Sequence, residues 1–324
     1  MKKLEYSYSQ LSTSAVSQSI ALQYDMPEIT DCKFYVLGLH DNYLIVSNKN
    51  KYILRVYRND WRSDKEIQFE LELLAYLGER NAPVATPILT KSDGLSFTID
   101  SPEGKRKVAL FHYADGYAPG KDITIEQSNL LGKAVAKVHQ ITGAFESHLS
   151  RQVLSLSYLL DDSIVAIESY LDLTSQRYLN DLKSQLKMAL RSHSKKIENY
   201  CICIGDVNPT NFHINNKHDI TLFDFDQCGY ADRCFEIGKF ISSIHGTNNK
   251  DELSHSFIEG YQTVRQLSPE ELAAIPYYEI VSVIWVMAIH AYNANRIGYK
   301  YLEKPFWDRR LAILKKLDRK LFKT

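Results

Sequence analysis

Apolar and polar residues alternate with two different periods along this chain. Residues 9–24, SQLSTSAVSQSIALQY, carry helical spacing behind a possible cap at Ser12 or Ser14. Three runs follow, FYVLGL, NYLIVS and KYILRVY, rich in Tyr, Ile and Val, and SNKNK between the last two is a hairpin turn. These predict an antiparallel sheet. Helical spacing returns in SDKEIQFELELLAYLGERN, where Ile67, Leu71, Leu74 and Leu77 form one stripe behind Ser63 or Asp64. A Pro-broken loop, NAPVATPILTKSDG, leads to a further strand, VALFHY, which runs into a turn at ADG. Beyond that turn the period is helical almost throughout. Leu130, Leu131, Ala134, Val135 and Val138 make one face, closed by His139. Two helical stretches, 154–171 and 175–192, lie within residues 151–198, and three more, 251–264, 268–295 and 305–322, follow residue 250.

One stretch of the second half breaks this pattern. Residues 200–240 begin with an apolar run, Tyr200 to Ile204, that stops at Gly205-Asp206; FHI and ITLF then flank the polar NNKHD, which predicts a β-hairpin. Asn211 stands five residues after Asp206, and the second strand of the hairpin delivers Asp224, Phe225 and Asp226. Phosphoryl transfer needs a carboxylate to orient the attacking hydroxyl, and an amide oxygen and a second carboxylate to hold Mg²⁺ against the phosphates. In the protein-kinase template these are an Asp, an Asn five residues on, and the Asp of Asp-Phe-Gly after a short hairpin. Asp206, Asn211 and Asp224 occupy those places. An oxygen-only set without paired His or Cys points to Mg²⁺ rather than zinc. Each residue alone is an ordinary turn residue; the joint spacing is what carries the reading.

The same stretch resembles the aminoglycoside phosphotransferase and choline kinase-like group, whose signature is HGDxxxxN followed by Asp-aromatic-acid. Here IGDVNPTN and DFDQCGYADRCFEIGKF match it, with Ile204 in place of the family His and Glu236-Ile237-Gly238 in place of the closing Asp-Leu-Ala. The resemblance implies an α+β, bilobal, protein-kinase-like fold. A sheet-rich nucleotide-covering lobe spans residues 1–112, and a mostly helical lobe spans 113–324 and carries the catalytic and metal-binding segment 200–240. It implies ATP, or another nucleoside triphosphate, with Mg²⁺ between the lobes. Asp206 is then the catalytic base, and Asn211 and Asp224 are the metal ligands. Arg55, in the third strand, takes the place of the strand Lys that grips the phosphates in protein kinases, with Glu70 as its helix partner. Arginine keeps the charge and adds a bidentate fork. By the same resemblance the carbonyl of His112 and the amide of Ala114 meet adenine. The loop GLHDN covers the phosphates with Gly38 as its only glycine and Asn42 at a position where the family often has Asn, and His139 matches a frequent family His. Asp226 either braces the metal shell or is a hydrogen-bonded turn residue.

Composition narrows the partners. The 324 residues are 44% hydrophobic and 24% charged, and the formal net charge is zero. Two lobes are expected at this length, and nothing in the balance marks a nucleic-acid or membrane-surface protein. No apolar core follows MKKLEYSYSQ, so no signal peptide is expected. IVSVIWVMAIHAY is too short and interrupted to span a bilayer and is expected as a buried helix. Five cysteines at spacings that fit no zinc pattern are expected as reduced packing residues of a cytoplasmic protein.

The expected function is transfer of a γ-phosphate to a hydroxyl of a small molecule. A bacterial stress-type Ser/Thr protein kinase and a non-catalytic kinase-fold binding module are the alternatives. The retained Asp206, Asn211 and Asp224 oppose the second, and the short link after Asp226, without an Ala-Pro-Glu segment, opposes the first. A cationic aminoglycoside needs carboxylates, for which Asp161, Asp162, Glu168, Asp172, Glu252, Glu259 and Glu279 are candidates; Arg177, Arg265, Arg296 and Lys300 share the lobe. Trp285, His290, Tyr292 and Asn293 lie on an apolar helix that is expected to wall a smaller, less charged pocket. The oligomeric state is not readable.

Overall fold

A five-stranded antiparallel sheet with strand order β1-β2-β3-β5-β4 forms the framework of the first part of the chain. Its strands are β1 (Ile29–Leu37), β2 (Asp41–Ser47), β3 (Asn50–Val56), β4 (Phe97–Ser101) and β5 (Gly104–His112). The computed structural model describes residues 5–191, 193 and 200–322. These form two compact units, one made of residues up to Asp115 with 144–151 and 221–223, the other of the remainder.

In the first unit β2 and β3 are joined by Asn48 and Lys49 at φ 47° and 67°. Two left-handed residues in a row make the tight turn whose twist suits a hairpin. Alternate residues of β2 are buried, and Tyr43 and Ile45 share a core with Leu54, Val56, Val108 and Leu110. Helix α1 (Thr13–Gln23) covers that face with Val16 and Ile20. Helix α2 (Asp64–Glu79) starts at Ser63 with a reciprocal capping box to Glu66 and buries the expected stripe Ile67, Leu71, Leu74 and Leu77. Residues 221–223 join this unit through Leu222, whose amide donates to the Pro83 carbonyl (2.7 Å) and whose carbonyl accepts from Ala85 (2.9 Å).

The second unit is mostly helical: α3 (Ile125–Thr142), α4 (Ser163–Ile167), α5 (Leu173–Ala189), α6 (Arg233–Ser243), α7 (Lys250–Gln262), α8 (Pro269–Tyr292), α9 (Ala294–Ile297) and α10 (Lys304–Phe322). Short strands β6 (Tyr200–Cys203), β7 (Phe212–Ile214) and β9 (Gly229–Asp232) interrupt them, while β8 (Ile220–Leu222) falls mostly in the first unit. The expected stretch 154–171 is not one helix: a wide π-type turn, Ser157–Asp162, precedes α4, and a 3₁₀ turn, Glu168–Tyr170, follows it. Ser192, at the end of the next expected stretch, and the first four residues lie outside the described residues.

Helix α8 forms within the stretch 268–295 that the sequence marks as helical. At 24 residues it could cross a bilayer by length and composition alone, yet 67% of its most apolar window is buried inside the structure. Its start is fixed by a reciprocal capping box between Ser268 and Glu271. Helix α6 packs on α8 so closely that a Cβ at Gly238 would lie 2.7 Å from the Tyr278 backbone. All five cysteines are free; Cys32 is half-buried and the others are buried.

Candidate active site

The apolar strand β6 pairs antiparallel with β9, and Cys203 faces Gly229. Asp206 follows β6 and Asp224 precedes β9, so both motif segments emerge from the same end of this ribbon. Gly205 makes the turn possible. It sits at φ +87°, and a Cβ there would lie 2.1 Å from the Gln227 carbonyl oxygen. The two segments therefore touch backbone to backbone, which only glycine permits.

The turn is held from below by Glu236 in the first turn of α6, which is fully buried. Its Oε2 accepts the Ile204 amide and its Oε1 accepts the Gly205 amide at 2.9 Å. His139 Nε2 lies 3.2 Å from Glu236 Oε2, and its Nδ1 lies 2.9 Å from the Tyr261 hydroxyl. Burial opposes charge on His139, but Cys201, Tyr261 and Glu236 outweigh it and hold its pKa well above the ordinary histidine value. Ile204 packs its side chain in the core, at 1% exposure. The brace at this position thus comes from Glu236, with His139 behind it.

Asp206 is bonded on both oxygens. Oδ2 accepts from Asn211 Nδ2 at 3.0 Å, and Oδ1 meets Lys239 Nζ at 2.6 Å. The same Asn211 amide nitrogen donates to the Asp206 carbonyl at 3.0 Å, and Asn208 donates there at 3.1 Å. The Asp206 side chain is 35% exposed and that of Lys239 only 4%. Both Asn211 bonds use its Nδ2, so the plane of its amide is fixed against Asp206. Asp224 has φ +63°, a left-handed conformation that Asp tolerates better than most residues. An amide oxygen and a carboxylate are donors that fit Mg²⁺. Asp226 is buried at 3% exposure and accepts from Gln227 Nε2 at 3.1 Å.

The remaining expected residues fall in the first unit. Arg55 Nη1 bonds Glu70 Oε1 at 3.2 Å, and Arg55 Nε donates to Asn42 Oδ1 at 3.4 Å from the position opposite it in β2. Glu70 is fully buried, and the guanidinium lies 5.8 and 5.6 Å from the ring centres of Tyr57 and Phe111. His112 ends β5, with its amide donating to the Thr86 carbonyl at 3.0 Å; Ala114 lies buried two residues on.

Lys239 escaped the sequence reading. Its signal was present in FEIGKF, where Glu236 and Lys239 are three apart and share a helix face. Beside it opens a cavity of about 500 Å³, a size that suits a small molecule. None of the carboxylates considered for the acceptor lines it: Asp161 pairs with Lys187 at 2.6 Å, and Glu279 with Lys250 at 2.7 Å and His245 at 2.9 Å. Nor do Trp285, His290, Tyr292 or Asn293. Helix α8 contributes Val283 and Val286 instead, because the turn of the helix points Trp285 into the core at 1% exposure.

The chain is similar to known proteins over most of its length. The model of the phosphotransferase enzyme family matches residues 33–275. An uncharacterized protein of Synechocystis sp. is 35% identical over 96% of this chain and 86% of its own length. Among solved structures, a microcompartment-associated aminopropanol kinase superposes with a TM-score of 0.81 at 20% identity, covering 95% of this chain and 97% of the other. An amicoumacin kinase solved with AMP-PNP, Ca²⁺ and Ami gives 0.76 at 20% identity, over 96% and 93% of the two chains.

Proposed function

The chain belongs to the phosphotransferase enzyme family, and from that premise we propose that it transfers the γ-phosphate of ATP to a hydroxyl of a small-molecule acceptor. The observation that carries this reading is the state of Asp206. Its carboxylate is oriented by Asn211 on one oxygen and Lys239 on the other, on a turn whose amides Glu236 fixes. A carboxylate held this way can align an acceptor hydroxyl and take its proton as the phosphoryl group arrives. Asn211 and Asp224 are the residues that would hold Mg²⁺, which when bound neutralises charge on the phosphates. Arg55, steadied by Glu70 and Asn42, is the proposed contact to the phosphates, and the backbone at His112 and Ala114 the proposed contact to the base. The nucleotide analogue and divalent cation in the amicoumacin kinase complex support nucleotide and metal use.

A small acceptor is favoured over a protein. Only residues 227–232 separate Asp226 from α6, which leaves no length for a substrate-binding activation segment. The test is a screen of alcohols, amino alcohols, hydroxy acids, sugars and aminoglycosides with Mg·ATP, read by product mass. At least one small hydroxyl compound should gain a phosphoryl group, and Asp206→Asn should lower that rate by ~10²–10⁴-fold. A variant that turns over like the parent chain would remove the assignment.

A further inference from the structure

The cavity beside Lys239 is lined by Lys121, Lys239, His245 and Arg310, and by no aspartate or glutamate. Two of these charges are already balanced. Lys239 is paired with Asp206, and His245 shares Glu279 with Lys250. Arg310 and Lys121 are not. Arg310, half-buried on α10, has as its described partner the ring of Phe306, 5.4 Å from its guanidinium carbon. Among the described residues no carboxylate bonds it, and Arg309 stands next to it. Lys121, exposed at the rim, has no described ion pair either. Burial and the neighbouring Arg309 both lower the pKa of Arg310. A partly desolvated guanidinium without a counter-charge is costly to keep and is relieved by an anion that fits its fork. Asp206 does not itself line the cavity; Lys239, which does, links the two by holding Asp206 Oδ1, and Asn208, two residues after Asp206, lines it as well.

We propose that the acceptor is itself an anion, a hydroxyl compound bearing a carboxylate or a phosphate ester, with Arg310 and Lys121 binding that group while the hydroxyl faces Asp206. This rests on the phosphotransferase reading and specifies its substrate class. Cationic acceptors are disfavoured by the same charges, since a like-charge approach inside a cavity has no carboxylate to offset it. The apolar part of the lining, Val283, Val286 and Ile313, leaves room for a short carbon chain rather than a second charged group.

The experiment has two arms. In the first, the chain is assayed with Mg·ATP on acceptor pairs that differ by an anionic group: glycerate and glyceramide, 3-hydroxybutyrate and 3-hydroxybutyramide, glycerol phosphate and glycerol, with choline and kanamycin as cations. The anionic member should be phosphorylated with a kcat/KM at least ~10-fold above its partner, and Arg310→Gln should lower that value by ~10–100-fold, the loss expected for one charge-assisted hydrogen-bonding group. Lys300→Gln, at an exposed lysine that does not line the cavity, is the control. Equal or better turnover of the neutral or cationic members overturns the proposal. The second arm needs no turnover: binding of inorganic phosphate and of malonate is measured by calorimetry with Mg·AMP-PNP saturating, so that phosphate sites for the nucleotide are filled. Parent binding that Arg310→Gln weakens ~10-fold or more supports the site. Absent binding, or binding that the variant leaves alone, overturns it. If no acceptor of any charge is phosphorylated, the phosphotransferase reading is what fails, and the second arm still decides the anion site.

Discussion

Lys239 Nζ lies 2.6 Å from Asp206 Oδ1, and the lysine is almost entirely buried while the aspartate remains open to solvent. The pair holds one oxygen of the carboxylate that we propose meets the acceptor hydroxyl. Replacing Lys239 with Met keeps the volume and removes the charge. The expected result is a kcat lowered by ~10–100-fold, from loss of alignment, with little change in unfolding temperature, because the Asp206 carboxylate left behind is 35% exposed and can be solvated by water. Steady-state kinetics on an acceptor found by the screen, with calorimetric unfolding alongside, checks both halves. A kcat equal to the parent value would mean that Lys239 is structural only.

Arg55 and Glu70 make the corresponding pair of the first unit, at 11% and 0% exposure. Such a pair is desolvated, so breaking it leaves a buried carboxylate without its cation. A double-mutant cycle of Arg55→Met and Glu70→Gln on the apparent ATP constant should show a coupling of ~1 kcal/mol or more. Purely additive effects would show that Glu70 does not act through Arg55.

The metal-ligand roles proposed for Asn211 and Asp224 predict a metal-specific signature. Alanine at either position should weaken binding of Mg·nucleotide by ~10-fold or more while affecting metal-free nucleotide much less, since the lost groups are proposed to contact the ion. Titration calorimetry with and without Mg²⁺ separates the two. Equal losses in both conditions would remove the ligand roles.

His139 ties stability to pH. Its folded pKa is raised above the unfolded value of ~6.5. The imidazolium therefore stabilises the fold fully below about pH 6.5, and the contribution is lost as pH rises through the folded pKa. His139→Gln should lower stability most at pH 6 and progressively less toward alkaline pH. Urea unfolding of both proteins across pH 6–9 measures this, and a pH-independent difference would show that His139 stays neutral. Because His139 supports Glu236, which holds the Gly205 amide, turnover should fall along with stability in the variant.

Local features were legible because they depend on local physics. The period of Ile67, Leu71, Leu74 and Leu77, the Ser63 cap, the Asn48-Lys49 turn and the break at Gly205-Asp206 follow from helix pitch, capping and backbone sterics within a few residues. The spacing of Asp206, Asn211 and Asp224 likewise lies within one stretch, and Asp206 and Asn211 do meet. The strand β9 was not legible: four residues, Gly229–Asp232, are too few for a period and form a strand only because β6 offers a partner. Nor were the partnerships that cross long separations. His139 reaches Glu236 across 97 residues, and Glu236 reaches Gly205 across 31. The charges at Lys121, Lys239 and Arg310 come from three distant helical regions and line one cavity only after those regions dock. A sequence displays which residues can ionise; which of them then find a counter-charge is decided by how the helices pack, and here that packing leaves Arg310 facing a cavity without one.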